Sequence, residues 1–194
     1  MVIREIDDLQ KAVPVAGTLG AGNWNKVKAW IKNAEVLYFR PLLGKDLLDE
    51  LDTALEATPS EKQQELIDSV TFALGNLAMM DFMPANMSII TDGGNVEPTS
   101  DSGQSARQWV TIAQVNTMCQ AGFRRLEDIV VFLEENLSDF DSWTSSWYFT
   151  EGRKRFVPNA LVFNRYYEIA ESGWTYYHLL ASLKTVEDGP VKSL

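Results

Sequence analysis

Between Gln104 and Leu137 the apolar residues step by three or four: Ile112, Val115, Cys119, Phe123, Leu126, Val130, Leu133 and Leu137. That period puts them on one face of a helix about 50 Å long at 1.5 Å per residue, and so long a stripe needs other helices to cover it. Gly122 is the expected place for a kink. A second stripe, Val27, Trp30, Ile31, Ala34, Leu37 and Tyr38, starts near Trp24, after a Gly- and Pro-containing loop at 14–23. Pro41 and Gly44 interrupt it, and Leu47, Leu48, Leu51 and Leu55 resume as a short amphipathic helix. A further stripe carries Leu66, Val70, Ala73, Leu74, Leu77 and Met80 and is expected to end near Pro84. Its start is signalled by Thr58-Pro59-Ser60-Glu61: Thr58 as cap, Pro59 at the first helical position, Glu61 as the capping-box partner.

Residues 86–100 change character. Met87-Ser88-Ile89-Ile90-Thr91 and Val96-Glu97-Pro98 flank Asp92-Gly93-Gly94-Asn95, the pattern of a small hairpin around a glycine turn. Pro98 confines the second arm to an edge, and 99–103 reads as linker. In the last third, 12 of the 21 Phe, Trp and Tyr residues fall between Phe140 and Tyr177. The pattern predicts a short helix at Trp143 and Trp147, a loop through Glu151-Gly152-Arg153-Lys154-Arg155, and helices over 158–170 and 173–187. Tyr176, Leu179, Leu183 and Val186 are the expected buried side of the last. The expected architecture is one domain over 1–194, mainly α: a bundle of about six to seven helices with one small β-hairpin insertion at about 86–100.

Charge narrows the partners. The 17 basic and 27 acidic side chains give a formal net charge of −10. Nucleic-acid binders concentrate Lys and Arg to neutralise phosphates, so generic DNA or RNA binding is not expected. The start, Met1-Val2-Ile3-Arg4-Glu5-Ile6-Asp7-Asp8, places charges where a Sec signal needs an apolar run. Asp68 and Asp81 flank a charge-free stretch of only 12 residues, too short to span a bilayer. A cytoplasmic protein that does not cross a membrane is the expectation.

Catalytic chemistry has few carriers. His178 is the sole histidine and Cys119 the sole cysteine, so any Ser-His or Cys-His mechanism must run through His178. It lies in an aromatic helical stretch with no Gly-x-Ser-x-Gly turn in the chain, and a structural or surface role is the simpler reading. Cys119, on an apolar stripe, reads as a small hydrophobe. One Cys and one His cannot form a four-ligand zinc site. Asn136, Ser138, Asp139 and Asp141 resemble a fragment of a calcium loop but lack its glycine and distant Glu, so helix-end capping explains them better. Gly17-Thr18-Leu19-Gly20-Ala21-Gly22 has neither a preceding strand nor a following Lys-Ser/Thr, and is read as a flexible loop. No catalytic, metal-binding or cofactor-binding residue is assigned, and no enzyme activity is expected. For protein contacts the candidates are Ile89, Ile90 and Val96 of the hairpin, through strand addition, and the basic run Arg153, Lys154 and Arg155.

One segment is Ala34-Glu35-Val36-Leu37-Tyr38-Phe39-Arg40-Pro41-Leu42-Leu43-Gly44-Lys45-Asp46-Leu47-Leu48-Asp49-Glu50-Leu51, in which Tyr38-Phe39-Arg40-Pro41-Leu42-Leu43-Gly44 leads into Leu47-Leu48-Asp49-Glu50-Leu51. The other, the closing helical pair, runs from Val157-Pro158 through Phe163, then from Ser172 through Leu183 with Val186-Glu187. Together the two segments resemble an uncharacterised family of Bacteroidetes genomes and their phages or prophages. Such proteins are similar in layout to small helical head–tail connector (head-completion) proteins of tailed phages, short bundles with a β insertion that assemble as rings between portal and tail. The resemblance implies a virion structural component that self-associates or docks on portal or tail proteins, with no catalytic residues to transfer. A non-viral cytoplasmic helical binding module is the alternative, and gene neighbours distinguish the two.

Overall fold

The computed structural model of the chain describes residues 2–13, 21–86, 89–91, 94–96, 108–169 and 173–191, and over these the protein is mainly helical. Helix α1 (Ile6–Ala12) buries Leu9 and Ala12, packing against the fourth helix. Helix α2 (Ala21–Ala34) begins three residues before the expected Trp24 and runs without a break into a π turn, Glu35–Phe39, and then α3 (Arg40–Ala54). The wider turn re-phases the apolar stripe. Ala34 and Phe39 are buried, whereas Leu37, expected on the stripe, is 53% exposed.

Pro41 lies just after the π turn and offers no N–H to the turn before it, so the bond lost there falls at the wider turn. The break in the pattern falls at Gly44, whose φ of 79° and ψ of 162° are essentially closed to other residues. A Cβ at Gly44 would lie 3.2 Å from the Ser146 Cα. The helix therefore turns where another segment crosses it at backbone contact.

Helix α4 (Glu61–Asn86) is capped by Ser60, two residues beyond the expected Thr58. Ser60 Oγ accepts from the Gln63 N–H at 3.2 Å, and Gln63 Oε1 accepts from the Ser60 N–H at 3.0 Å. The residue before a proline is disfavoured from helical geometry, so Pro59 ends the extended approach, and Ser60 has the amide partner three residues on. The helix ends at Asn86, two residues past Pro84 and so near it as expected. By length and composition α4 could cross a bilayer, which the count between Asp68 and Asp81 did not foresee. Of its most apolar stretch, 61% is buried among the other helices, as in the core helix of a soluble protein.

Strands β1 (Ile89–Thr91) and β2 (Gly94–Val96) pair antiparallel, with Ile89 opposite Val96 and Ile90 opposite Asn95. The expected linker at 99–103 lies outside the described residues, as do the loop at 14–20 and the Asp92-Gly93 part of the turn. Helix α5 (Gln108–Glu135) packs along α4 in the most extensive helix pairing of the fold. Gly122 is no kink: the helix is continuous there and α4 comes close, so that a Cβ would lie 2.7 Å from Leu77 Cδ2. Ile112, expected on the buried stripe, is 52% exposed while Thr111 is buried, because the contacting face is rotated by one residue at this end.

After two 3-10 turns, Leu137–Asp139 and Asp141–Ser145, comes the short α6 (Trp147–Thr150), capped by Ser146 Oγ accepting from the Phe149 N–H at 3.1 Å. Trp143 and Trp147 thus stand on separate elements. Trp143 is fully buried and stacks on Tyr148 with ring centres 6.1 Å apart, while its Nε1 donates to the Leu42 carbonyl at 3.0 Å. A third 3-10 turn, Gly152–Lys154, leads to α7 (Ala160–Asn164) and α8 (Gly173–Val186). The helix expected over 158–170 is only five residues long. Asn159 caps its start, and Asn164 Oδ1 accepts the Ile169 N–H at 2.8 Å, a side-chain bond that competes with helix continuation. On α8, Tyr176 is buried as expected, Leu179 and Leu183 are half-buried, and Val186 is 57% exposed because the end of the helix overhangs the bundle.

Replacing Gly44 with Ala should destabilise the protein by about 1–3 kcal/mol through the disallowed backbone angle alone. Urea unfolding followed by far-UV circular dichroism measures it; a midpoint equal to the parent's would contradict the reading.

Candidate functional site

Three separate stretches of chain enclose a half-open groove of about 310 Å³. The π turn and the start of α3 form one wall with Leu37, Tyr38, Pro41 and Leu42, and α5 contributes Phe123 and Leu126. The opposite wall is Trp147 and Tyr148 of α6 with Arg155, Pro158, Tyr176 and Leu180. Tyr38 meets Phe123 edge-on, with ring centres 5.4 Å apart. The surface is apolar apart from Arg155, whose guanidinium lies 5.5 Å from the Trp147 ring centre and whose Nη1 donates to the Leu180 carbonyl at 3.4 Å.

The aromatic-rich third of the chain divides in two. Phe140, Trp143, Tyr148 and Tyr176 are buried, whereas Trp147 (43%), Phe156 (72%), Tyr166 (82%) and Tyr167 (69%) are exposed.

Glu127 follows the groove residue Leu126 on α5 and is only 5% exposed. The Ala160 N–H approaches its carboxylate, and Oε1 has no hydrogen-bond partner among the described residues. Burial pushes its carboxyl up to about 7, the Ala160 N–H pulls it down, and the charge of Asp128 adds to the rise. The Tyr148 hydroxyl is likewise buried and unpartnered, and burial holds its pKa well above the ordinary tyrosine value. Asn159 is close to it, but Asn159 Oδ1 accepts the Val162 N–H at 2.9 Å and its approach to Tyr148 falls short of hydrogen-bond geometry. Tyr176 is better served, donating to the Val157 carbonyl at 2.8 Å.

The basic run is engaged within the chain rather than freely solvated. Arg153 pairs with Glu134 at 3.3 Å and lies 4.5 Å over the Phe149 ring, Lys154 pairs with Glu151 at 3.7 Å, and Arg155 lines the groove. Ile89, Ile90 and Val96 are placed on the paired strands, while their side chains lie outside the described residues, as does that of His178. Cys119 is half-buried, and burial, followed by the charge of Asp81, raises its thiol pKa, which disfavours the reactive thiolate. Asp139, read as a calcium-loop fragment or cap, pairs with Lys62 at 2.7 Å. Among the described residues no three His, Cys, Asp or Glu side chains cluster as a metal would need.

Sequence reasoning passed over Glu127, although the signal was present. It stands four residues after Phe123 and three before Val130, so a carboxyl occupies a position of the buried stripe itself. The groove carried no such signal, because it forms where three distant segments meet.

Compared with known proteins, residues 39–153 match the Family of unknown function (DUF6712). No curated protein and no solved structure matches the chain.

Glu127 gives the stability a defined pH dependence. Its folded-state pKa lies above the unfolded value of 4.5, so the folded form holds the proton more tightly and loses relative stability as pH rises from about 4.5 to about 7. At about 1.4 kcal/mol per pH unit between those values the loss is about 3.5 kcal/mol, complete above pH 7. In urea titrations at pH 5 and pH 8, Glu127→Gln should remove most of that difference. Tyr148→Phe, which deletes an unpartnered hydroxyl, should be neutral or stabilising by up to about 1 kcal/mol. A Gln variant with the parent's pH profile would contradict the assignment.

Proposed function

The chain belongs to this family of unknown function, DUF6712, through more than half its length, and we propose that it is a phage- or prophage-derived structural protein, a head–tail connector-like virion component that acts by assembly. The observation that carries the reading is the set of exposed aromatic side chains, Trp147, Phe156, Tyr166 and Tyr167, of which Trp147 lines an apolar groove. Large exposed aromatics cost solubility unless a partner covers them, and they supply the anchors on which protein interfaces depend. The resemblance over residues 34–51 supports it further, since that segment builds one wall of the groove.

In this reading the chain is cytoplasmic until it joins a particle, needs no cofactor, and contacts protein rather than nucleic acid or membrane. The Ile89–Val96 hairpin is a second contact element, an arm that adds to a neighbouring sheet edge. Arg153, Lys154 and Arg155 flank the groove and orient an acidic partner surface.

Co-expression with a portal protein from the same phage or prophage, followed by electron microscopy, should give rings of this chain seated on the portal. The triple variant Phe156→Ser, Tyr166→Ser, Tyr167→Ser should keep its fold by circular dichroism. It should bind at least about tenfold more weakly, because interface aromatics of this kind are worth over 1 kcal/mol each. A chain that binds neither portal nor tail proteins, or that copurifies with a host cytoplasmic protein instead, would overturn the proposal.

A further inference from the structure

Among the described residues, the C-terminal helices bury few side chains against the rest of the molecule. Of the described residues from Phe156 onward only Ala160, on α7, and Tyr176, on α8, are fully buried, and neither belongs to the main hydrophobic core, which ends at Tyr148. Both anchors meet at one carboxyl. The Ala160 N–H approaches Glu127, and Tyr176 lies close enough to Glu127 to feel its charge. The family match also stops at residue 153, ahead of both helices.

A carboxyl 5% exposed, with one oxygen unpartnered, is tolerable when it is neutral. It becomes costly when ionised, because no cation among the described residues faces it directly. The titratable groups around it are Asp128 and Glu134 on α5, Tyr148 on α6, Arg153 and Arg155 in the following turn and loop, Tyr176 on α8 and Glu187 beyond it. The two arginines act on the tyrosines: Arg153 on Tyr148 and Arg155 on Tyr176, while Arg153 is already paired with Glu134. Asp128 opposes ionisation of its neighbour.

We infer that α7 and α8 form a cover that opens without unfolding of the helices beneath, and that Glu127 is its proton-sensitive latch, shut over a neutral carboxyl and loosened when that carboxyl ionises. Opening hydrates the carboxylate and uncovers Phe123, Leu126 and Tyr148, turning the half-open groove into a broad apolar face. The inference stands apart from the proposed virion role, since it concerns how the chain opens and not what it joins.

Amide hydrogen exchange of the full chain from pH 5 to pH 8, corrected for intrinsic rates, tests it. The α7 and α8 amides should be at least tenfold less protected than those of α4 at every pH, as expected for a sub-global opening. Their protection should fall about tenfold per pH unit between pH 5 and 7 and level off above, because only the open form ionises Glu127 in that range. Glu127→Gln should hold protection at the acidic value throughout. Asp128→Asn, a milder surface change, should move the levelling-off to lower pH and decides the matter if the Gln variant does not fold. Protection of α8 equal to that of α4 would show that the cover opens only with the whole molecule and would overturn the inference. So would α8 exchange with no pH dependence, or with the parent's dependence in the Gln variant.

Discussion

Trp143 donating its indole N–H to the Leu42 carbonyl joins residues 101 positions apart in a fully buried setting, and much of the structure is arranged around that contact. Leu42 lies between the π turn and Gly44, just where the helix must deviate. Gly44, lacking a Cβ, lets the backbone of Ser146 approach closely. The same Ser146 caps α6, and α6 carries both Trp147 and Tyr148. One short region therefore fixes where the chain from Asp141 to Thr150 lies on α3, which aromatic goes inward and which stays in solvent. Ser142 adds a bond from its hydroxyl to Glu50 on the same helix. The groove follows from this crossing, since two of its walls are the strands of chain on either side of it.

The packing beneath is of a different kind. Helices α4 and α5 meet through closely fitted aliphatic side chains, with Gly122 admitting Leu77 where any larger residue would collide. Such a core resists local opening because every side chain is covered by several others. Among the described residues the C-terminal helices show no comparable face: α7 is a single short segment, and α8 buries one tyrosine. Tyr176 packs on Phe163 of α7 with ring centres 6.2 Å apart and bonds to Val157, so much of its contact is within the cover itself. Cohesion inside the cover, with thin attachment to the core, describes a unit able to move as one.

How far this was legible in the sequence depends on the range of the interaction responsible. Helix periodicity is local, and α4 and α5 stand where their stripes put them, Leu66 to Leu77 and Phe123 to Leu133 buried throughout. Caps and terminations were less accurately read because they turn on competition between neighbours. Ser60 takes the capping role from Thr58 once Gln63 reaches back, and Asn164 ends α7 by bonding Ile169. Gly122 illustrates a different limit. A glycine in a helix can mark a bend or a close approach, and only the facing Leu77 decides which. The groove and the division of the aromatics are tertiary facts: Trp143 and Trp147 look equivalent in sequence, and only the 3-10 turn and extended Ser146 between them send one inward and the other out.

The two orphaned polar groups are the least economical feature of the molecule. If stability alone shaped this region, a leucine at 127 and a phenylalanine at 148 would fill similar space without desolvating a carboxyl and a hydroxyl. Both orphans lie where α5 and α6 meet the C-terminal helices, and none of the buried side-chain atoms of α4 among the described residues is similarly unpartnered. A polar group left unsatisfied in a folded state gains more than an apolar one when that state opens, because water completes its hydrogen bonds. Their cost is therefore borne selectively by the closed arrangement of α7 and α8. It narrows the free-energy gap to an open arrangement while leaving the α4–α5 core untouched. A surface that must be covered in solution and available to a partner is served by that kind of balance, in which the cover is stable enough to exclude water and weak enough to be displaced.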